Sequence, residues 1–163
     1  MKKNEDLGPI NVGDSAPDFT LKAQDDRKVS LASFRGRIVA LYFYPKDFTP
    51  GCTREACDFR DNFADLKQAG AVVLGISPDT ADSHQKFTDK YGLSFTLLAD
   101  PDHKVLEAYG AWGVKEHFGK ETEGVGRSTV LIDSKGIIHR IWRSVQVEGH
   151  VEQVLAEVRK LSA

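Results

Sequence analysis

The chain has 163 residues, enough for one domain around a single hydrophobic core. Hydrophobic residues make up 40% of it and charged residues 28%, and the net charge of -2 gives no support for a nucleic-acid or acidic-membrane partner. No apolar run approaches the roughly 20 residues of a membrane span. The start, MKKNEDLGPI, lacks the apolar segment of a signal peptide. These features predict a cytoplasmic protein, in which a permanent structural disulfide is not expected.

The apolar pattern switches repeatedly between the continuous runs of buried strands and the spacing of amphipathic helices. After a mobile arm over 1–11 we expect a single domain over 12–163. The predicted elements are, in chain order, a strand in RIVALYFYP, a helix in CTREACDFRDNFADLKQAG, a strand in AVVLGISP, a helix in DTADSHQKFTDKYG, a strand in FTLLAD, a helix in DHKVLEAYG, a loop in GAWGVKEHFGKETEGVG, two strands in RSTVLIDSKGIIHRIWRSV and a helix in HVEQVLAEVRKLSA. This order predicts an α/β fold with a central mixed β-sheet flanked by helices.

Both cysteines lie in the short stretch TPGCTREAC, just after the first predicted strand. Pro45 ends that strand, Thr49 is a good N-cap, and Pro50 suits the first helical position. Cys52 then falls in the first turn of the helix, where unpaired N–H groups and the positive end of the helix dipole favour a thiolate over a thiol. Arg54 or a distant arginine over the site would add to this effect. We therefore expect Cys52 to be a reactive nucleophile.

Cys57 follows five residues later on the same predicted helix. At that spacing the two Cα atoms lie about 8 to 9 Å apart on an intact helix. A disulfide needs Cα atoms within roughly 7 Å, so the pair can bond only if the first turns unwind. We expect oxidation to cost helix around 50–60. The spacing suits a bond that is made and broken during turnover.

Other uses of the two cysteines are open on the residues alone. A cysteine early in a helix is often a small buried side chain without chemistry. A zinc site would need two further ligands, and the histidines are scattered singly along the chain. The C-x-x-C pattern of thioredoxin-type oxidoreductases is absent.

The stretch PKDFTPGC fits the peroxiredoxin signature P-x-x-x-T-x-x-C, with Pro45, Thr49 and Cys52 at its fixed positions. CTREAC adds a second cysteine at the spacing typical of the bacterioferritin-comigratory protein, or peroxiredoxin Q, subfamily. GRSTVLID resembles the arginine-bearing strand of that family and maps the arginine onto Arg127. GDSAPDFTL, VLGISPD and VEGHVEQVL are also similar, so the resemblance covers nearly the whole chain after residue 11. It implies a thioredoxin-like fold.

The resemblance implies a peroxidase in which Cys52 attacks a hydroperoxide and becomes a sulfenic acid. Cys57 would condense with it to a Cys52–Cys57 disulfide, which a dithiol such as thioredoxin would reopen. Thr49 would contact the peroxide, Arg127 would hold thiolate and peroxide together, and Pro45 would shield the sulfur. The resemblance implies no metal and no organic cofactor, and it favours a monomer.

Three further residues are candidates for supporting roles. Glu55 could orient an arginine or simply suit the start of a helix, Arg143 is a second possible arginine, and Phe48 could line the peroxide entrance. Two other function classes stay open beside the peroxidase: a redox sensor that passes the same disulfide to a protein partner, and a binding or chaperone module with inert cysteines.

Overall fold

The computed structural model describes residues 9–117 and 119–162, so most of the predicted arm lies outside the described residues. The strands are β1 Thr20–Ala23, β2 Lys28–Ser30, β3 Ile38–Phe43, β4 Ala71–Ser77, β5 Thr96–Ala99, β6 Trp112–His117, β7 Lys120–Val125, β8 Ser128–Ile132 and β9 Ile138–Trp142. The α-helices are α1 Pro50–Asp61, α2 Phe63–Gln68, α3 Ala81–Tyr91, α4 Lys104–Ala108 and α5 His150–Ser162, and a short 3-10 helix spans Leu31–Phe34.

The main sheet has seven strands in the order β2-β1-β5-β4-β3-β8-β9. Strand β3 is buried along its whole length, as its continuous apolar run predicted. It pairs in parallel with β4 and antiparallel with β8. The parallel pairs β3/β4 and β4/β5 need crossovers, which α1 with α2 and α3 supply. The predicted mixed sheet is confirmed.

Apolar side chains fill both faces of this sheet. On one face, the core combines alternate residues of β3 with residues of α1, α2, α3 and α5, among them Phe59, Phe87 and Val154. On the other face, the remaining β3 residues pack with α4 and the N-terminal segment, through Leu106 and Phe19. Helices therefore flank the sheet on both faces, as predicted.

The sequence prediction names no element before the strand in RIVALYFYP, where β1, β2 and the 3-10 helix lie, and it was wrong in two further local respects. The long helix after Cys52 is interrupted at Asn62, whose φ of -103° and ψ of 5° end α1 and start α2. The predicted loop over 110–126 contains the antiparallel hairpin of β6 and β7, paired from Trp112–Val125 to His117–Lys120. β7 is mostly exposed and charged, so the hairpin lacks the apolar alternation that marks a half-buried strand. Among the described residues, no helix is long and apolar enough to cross a membrane.

Candidate active site

The loop between β3 and α1 lies at the carboxyl end of the central strand, where open sheets commonly place their functional sites. Half-buried Pro45 begins it, and Thr49 is the N-cap of α1 with extended backbone angles, φ -78° and ψ 152°. The Thr49 hydroxyl, however, makes no capping hydrogen bond. It donates instead to the carbonyl of Lys46 at 2.8 Å, inside the loop. The predicted N-cap position is therefore right, while the hydroxyl is used differently.

Cys52 is the third residue of α1 and is 2% exposed. The N–H of Thr53 is bonded to the carbonyl of Thr49, so helix geometry leaves the N–H groups of Gly51 and Cys52 without a carbonyl within the helix. Cys52 therefore lies in the first turn of α1, at the positive end of the helix dipole.

Arg127 reaches the sulfur of Cys52 from the position just before β8, the strand beside β3. Phe43, the last residue of β3, is opposite Ser128, so this register brings Arg127 beside the loop that follows β3. Its Nη2 donates to Cys52 Sγ at 3.4 Å. A Cβ at position 51 would lie 3.2 Å from the same Nη2, so glycine gives the guanidinium room. The structure brings Cys52 and Arg127 together although 75 residues separate them in the chain.

Glu55 completes the contacts of the guanidinium. Its Oε1 accepts from Nη1 of Arg127 at 2.6 Å, and the Glu55 side chain is fully buried. Burial raises the pKa of Glu55 to about 7, although the arginine opposes the shift. Its Oε2 has no hydrogen-bond partner among the described residues. The guanidinium of Arg127 thus lies between two acidic groups, with the Cys52 thiol at Nη2 and the Glu55 carboxyl at Nη1.

Cys57 occupies a different environment on the same helix. It is half-buried, and burial raises the pKa of its thiol, while Arg60 opposes the shift. Asp61 and Asp58 raise it further. Both cysteines are free, and α1 is continuous across them. In this intact helix the pair is not bonded, as the five-residue spacing predicted.

The other two candidates have different positions. The guanidinium of Arg143 donates to Ser128 Oγ at 3.2 Å and to the Tyr109 carbonyl at 2.7 Å, whereas the arginine bonded to Cys52 is Arg127. Phe48 lies in the loop, 44% exposed, with its ring 5.1 Å from that of Phe87 on α3. Glu55 therefore contacts the site's arginine directly, whereas Arg143 supports the start of β8.

Sequence reasoning missed a polar cluster beside this loop. Potential metal-ligating atoms of Asp47, Asp79 and His84 lie within 4.8 Å of one another. His84 Nδ1 is 2.7 Å from Asp47 Oδ2, which is a hydrogen-bond distance. Two ligands of one zinc ion would be about 3.3 Å apart, given bonds of about 2.0 Å in tetrahedral geometry. The contact is therefore a hydrogen-bonded pair. Its members are 37 positions apart in the chain, so no local sequence pattern indicates the pair.

Comparison with known proteins agrees with this geometry. Residues 12–141 match the model of the AhpC/TSA family. The chain is 46% identical over 153 residues to peroxiredoxin Bcp of Bacillus subtilis, covering 94% of this chain and 98% of that protein. It is 50% identical over 149 residues to a putative peroxiredoxin bcp of Coxiella burnetii, covering 91% and 99%. A solved structure of the Xanthomonas campestris bacterioferritin comigratory protein, described for its alkyl peroxide reduction activity, matches with a TM-score of 0.88 and 34% identity, covering 94% of this chain and 98% of that one.

Fold and matches together place the chain among the thiol peroxidases with a thioredoxin-like fold. More narrowly, the chain belongs to the AhpC/TSA family and is a peroxiredoxin of the bacterioferritin-comigratory, or peroxiredoxin Q, subfamily. The resemblance found in the sequence motifs is thereby confirmed.

Proposed function

We propose that the protein reduces hydrogen peroxide and organic hydroperoxides with Cys52 as nucleophile, and that it is recycled through a Cys52–Cys57 disulfide by thioredoxin or a similar dithiol. The observation that carries the proposal is the 3.4 Å contact between Arg127 Nη2 and the buried Cys52 sulfur at the start of α1. A cysteine that served only as core filler would have no need of a charged donor in a half-buried position.

In the first step the Cys52 thiolate attacks the distal oxygen of the hydroperoxide. The O–O bond breaks, sulfur is oxidised to a sulfenic acid, and the departing oxygen takes a proton to leave as water or an alcohol. Negative charge moves from sulfur onto two oxygens during this step. Donors fixed near those oxygens lower the barrier because they need no rearrangement as the charge develops.

The residues around Cys52 have the polarity that this step requires. Arg127 supplies fixed positive charge and further N–H donors, and the N–H groups of Gly51 and Cys52 add neutral ones. The Thr49 hydroxyl donates its hydrogen to the Lys46 carbonyl, so the hydroxyl oxygen is free to accept a hydrogen bond from the peroxide. Pro45 would shield the sulfur from the loop side. These are the roles that we assign to the side chains of Arg127, Thr49 and Pro45.

In the second step the thiol of Cys57 attacks the sulfenic sulfur, a water molecule leaves, and an intramolecular disulfide forms. The first turns of α1 must unwind for the two sulfurs to meet. Gly51 eases this because glycine tolerates unusual backbone angles. Phe59 is fully buried and stacks on Tyr42 at 4.5 Å between ring centroids, which favours an end to the unwinding near that residue. This makes the protein an atypical two-cysteine peroxiredoxin.

A dithiol must then reduce the disulfide by thiol–disulfide exchange, and an unwound helix start would present the bond to it. We propose thioredoxin or a similar protein as this reductant, the cytoplasm as the compartment and a monomer as the working form. The subfamily resemblance of the sequence motifs is what supports the reductant and the monomer.

A coupled assay tests the proposal. Peroxide consumption is followed with thioredoxin, its reductase and a nicotinamide electron source, for the wild type and for Cys52→Ser. We expect continuous turnover by the wild type and none by the variant. A wild type that forms one disulfide but turns over no faster than the peroxide background would instead support a redox sensor. A wild type that loses no thiols on addition of peroxide would support inert cysteines.

A further inference from the structure

The loop that carries Thr49 is hydrogen-bonded to α3 through a buried polar cluster, none of whose hydrogen bonds involves Cys52. Asp47, in the middle of the loop, is 3% exposed, and its carboxylate is within hydrogen-bond distance of His84 Nδ1 at 2.7 Å and of Ser83 Oγ at 2.9 Å. The Tyr44 hydroxyl donates to its other oxygen at 2.6 Å. The Asp47 carboxyl therefore receives three side chains, two of them from α3.

The hydrogen bonds of His84 join the loop to the sheet. The residue is fully buried, and its Nε2 faces the carbonyl of Leu98 in β5 at 3.0 Å, so Nε2 must carry a hydrogen. A hydrogen must also lie between Nδ1 and Asp47 Oδ2, because two acceptors would repel each other at 2.7 Å. His84, which belongs to α3, is thus bonded to the loop through Nδ1 and to the sheet through Nε2.

The loop backbone between these contacts is strained. Phe48, which follows Asp47, has a φ of 67°, a left-handed conformation that costs free energy for a residue with a side chain. The N–H of Asp47 donates to Asp79 Oδ2 at 2.8 Å, which holds the preceding peptide in place. Such a conformation persists only where its surroundings enforce it. The bonds of Asp47 to Asp79, to α3 and to Tyr44 hold the residue that precedes Phe48 in place.

We propose that the Asp47–His84 pair positions the Cys52 loop for peroxide attack, with His84 as a positioning residue that acts through Asp47 on Thr49. The proposal rests on the peroxidase function proposed above. Thr49 is two residues after Asp47, and its hydroxyl bonds the Lys46 carbonyl on the other side of Asp47. A shift of Asp47 therefore moves both partners of that bond. Arg127 and the rest of α1 lie outside the cluster, so the surroundings of the sulfur itself stay in place.

Two substitutions at His84 separate its two hydrogen bonds. In His84→Asn the amide nitrogen can occupy the place of Nδ1, keep the donor to Asp47 and lose the one to Leu98. In His84→Gln the amide nitrogen can occupy the place of Nε2, keep the donor to Leu98 and lose the one to Asp47. The second-order rate of Cys52 oxidation by hydrogen peroxide is measured for each by stopped flow. Alkylation of Cys52 by iodoacetamide and the urea unfolding midpoint are measured in parallel.

We expect His84→Gln to slow peroxide attack about 10- to 100-fold, the size of effect that a misplacement of about 1 Å produces. His84→Asn should stay within about threefold of the wild type. Alkylation should change little in either variant, because it needs the thiolate but no contact between Thr49 and a peroxide. Equal losses of attack rate in both variants, or losses of attack and alkylation in the same ratio, would overturn the proposal.

A milder variant covers the case in which the His84 variants do not fold. Ser83→Ala removes one donor to Asp47 at a half-buried position, and we expect it to slow peroxide attack by about two- to fivefold with alkylation unchanged. An attack rate equal to that of the wild type would count against the proposal. Wild-type protein that forms no sulfenic acid or disulfide at all would refute the proposed function itself. This result is distinct from a failure of the present proposal, which is judged by the rates of the variants relative to the wild type.

Discussion

Cys52 and Cys57 share one helix, five residues apart, yet their surroundings have little in common. Cys52 is 2% exposed, beside the N-terminal N–H groups of α1 and 3.4 Å from a guanidinium nitrogen. Cys57 is half-buried among Asp58, Asp61 and Arg60, and burial is the main cause that raises the pKa of its thiol. Two identical side chains on one helix thus have different charged neighbours, because they differ in position along the helix and in the face that they occupy.

This contrast matches a division of labour between the two thiols. In the function proposed above, the enclosed Cys52 reacts with the peroxide. The half-buried Cys57 would meet it, and then the reductant, once the start of α1 unwinds. The surroundings of the two thiols can be altered separately.

Removal of the second thiol has the largest expected effect. Cys57→Ser should react with one equivalent of peroxide at close to the wild-type rate, and then stall as a sulfenic acid with no turnover under a thioredoxin system, because the chain has no other thiol to resolve it. Excess peroxide should carry Cys52 on to the sulfinic acid. Mass measurement after each addition checks this. Turnover equal to that of the wild type would show that Cys57 is not the resolving thiol.

Removal of the charge beside the first thiol comes next. Arg127→Met should slow peroxide attack about 100- to 1,000-fold, the range found when one donor to a developing charge is lost. Arg143→Met is a matched control, because Arg143 is also a half-buried arginine but bonds Ser128 and Tyr109 instead of Cys52. Stopped-flow rates and unfolding midpoints are compared for the two variants. A control that slows attack as much as Arg127→Met would make both arginines structural.

Oxidation should change the protection of backbone amides from hydrogen exchange only in the segment between the two thiols and in its immediate surroundings. Amides in 50–60 should exchange at least about tenfold faster in the oxidised protein, because α1 must open there for the sulfurs to bond. Amides of β3 and β4 serve as the internal reference, since the sheet is not expected to move. Hydrogen exchange of reduced and oxidised protein measures both. Unchanged protection over 50–60 would mean that no intramolecular disulfide forms.

The smallest expected effect concerns the carboxyl that shares Arg127 with Cys52. Burial holds the pKa of Glu55 at about 7 in the folded protein, above its ordinary value of 4.5. The folded state therefore binds more protons, so the stability linked to this group is present below about 4.5 and is lost as the pH rises through 7. In Glu55→Gln the amide oxygen can still accept the hydrogen bond from Arg127, but the side chain does not titrate.

Urea unfolding of wild type and Glu55→Gln between pH 4.5 and 8 checks this expectation. The stability of the wild type relative to the variant should fall as the pH rises through this window. Asp58, the neighbouring carboxyl that raises the pKa of Glu55, is present in both proteins and cancels in the comparison. Parallel stability curves would show that Glu55 keeps one charge state throughout.

The parts of this structure that depend on local sequence patterns could be predicted from the sequence. The apolar run of β3, the Thr49 and Pro50 signals at the start of α1, and the DSKG turn between β8 and β9 each depend on residues that are close in the chain. The β6–β7 hairpin was missed because β7 is polar on both faces. The break at Asn62 was missed because the apolar spacing continues through α2.

Contacts between residues that are far apart in the chain could not be predicted from local sequence patterns. The pairing of Arg127 with Cys52 was an expectation from the family motif alone, and the register of β8 against β3 is what brings the two together. His84 was read as an isolated histidine, although it lies against Asp47 in the folded chain. Burial of Glu55, which sets its pKa, likewise follows from how α1 packs on the sheet.

One measurement tests the central claim, that Cys52 is oxidised first and then bonds Cys57. Reduced protein is mixed with one equivalent of hydrogen peroxide, digested without reduction, and its cysteine peptides are identified by mass. The account predicts a monomer that has lost two hydrogens, with a single disulfide joining Cys52 to Cys57, and predicts a sulfenic acid on Cys52 when the same experiment is done with Cys57→Ser. Oxidation found first on Cys57, or a disulfide found only between two chains, would contradict it.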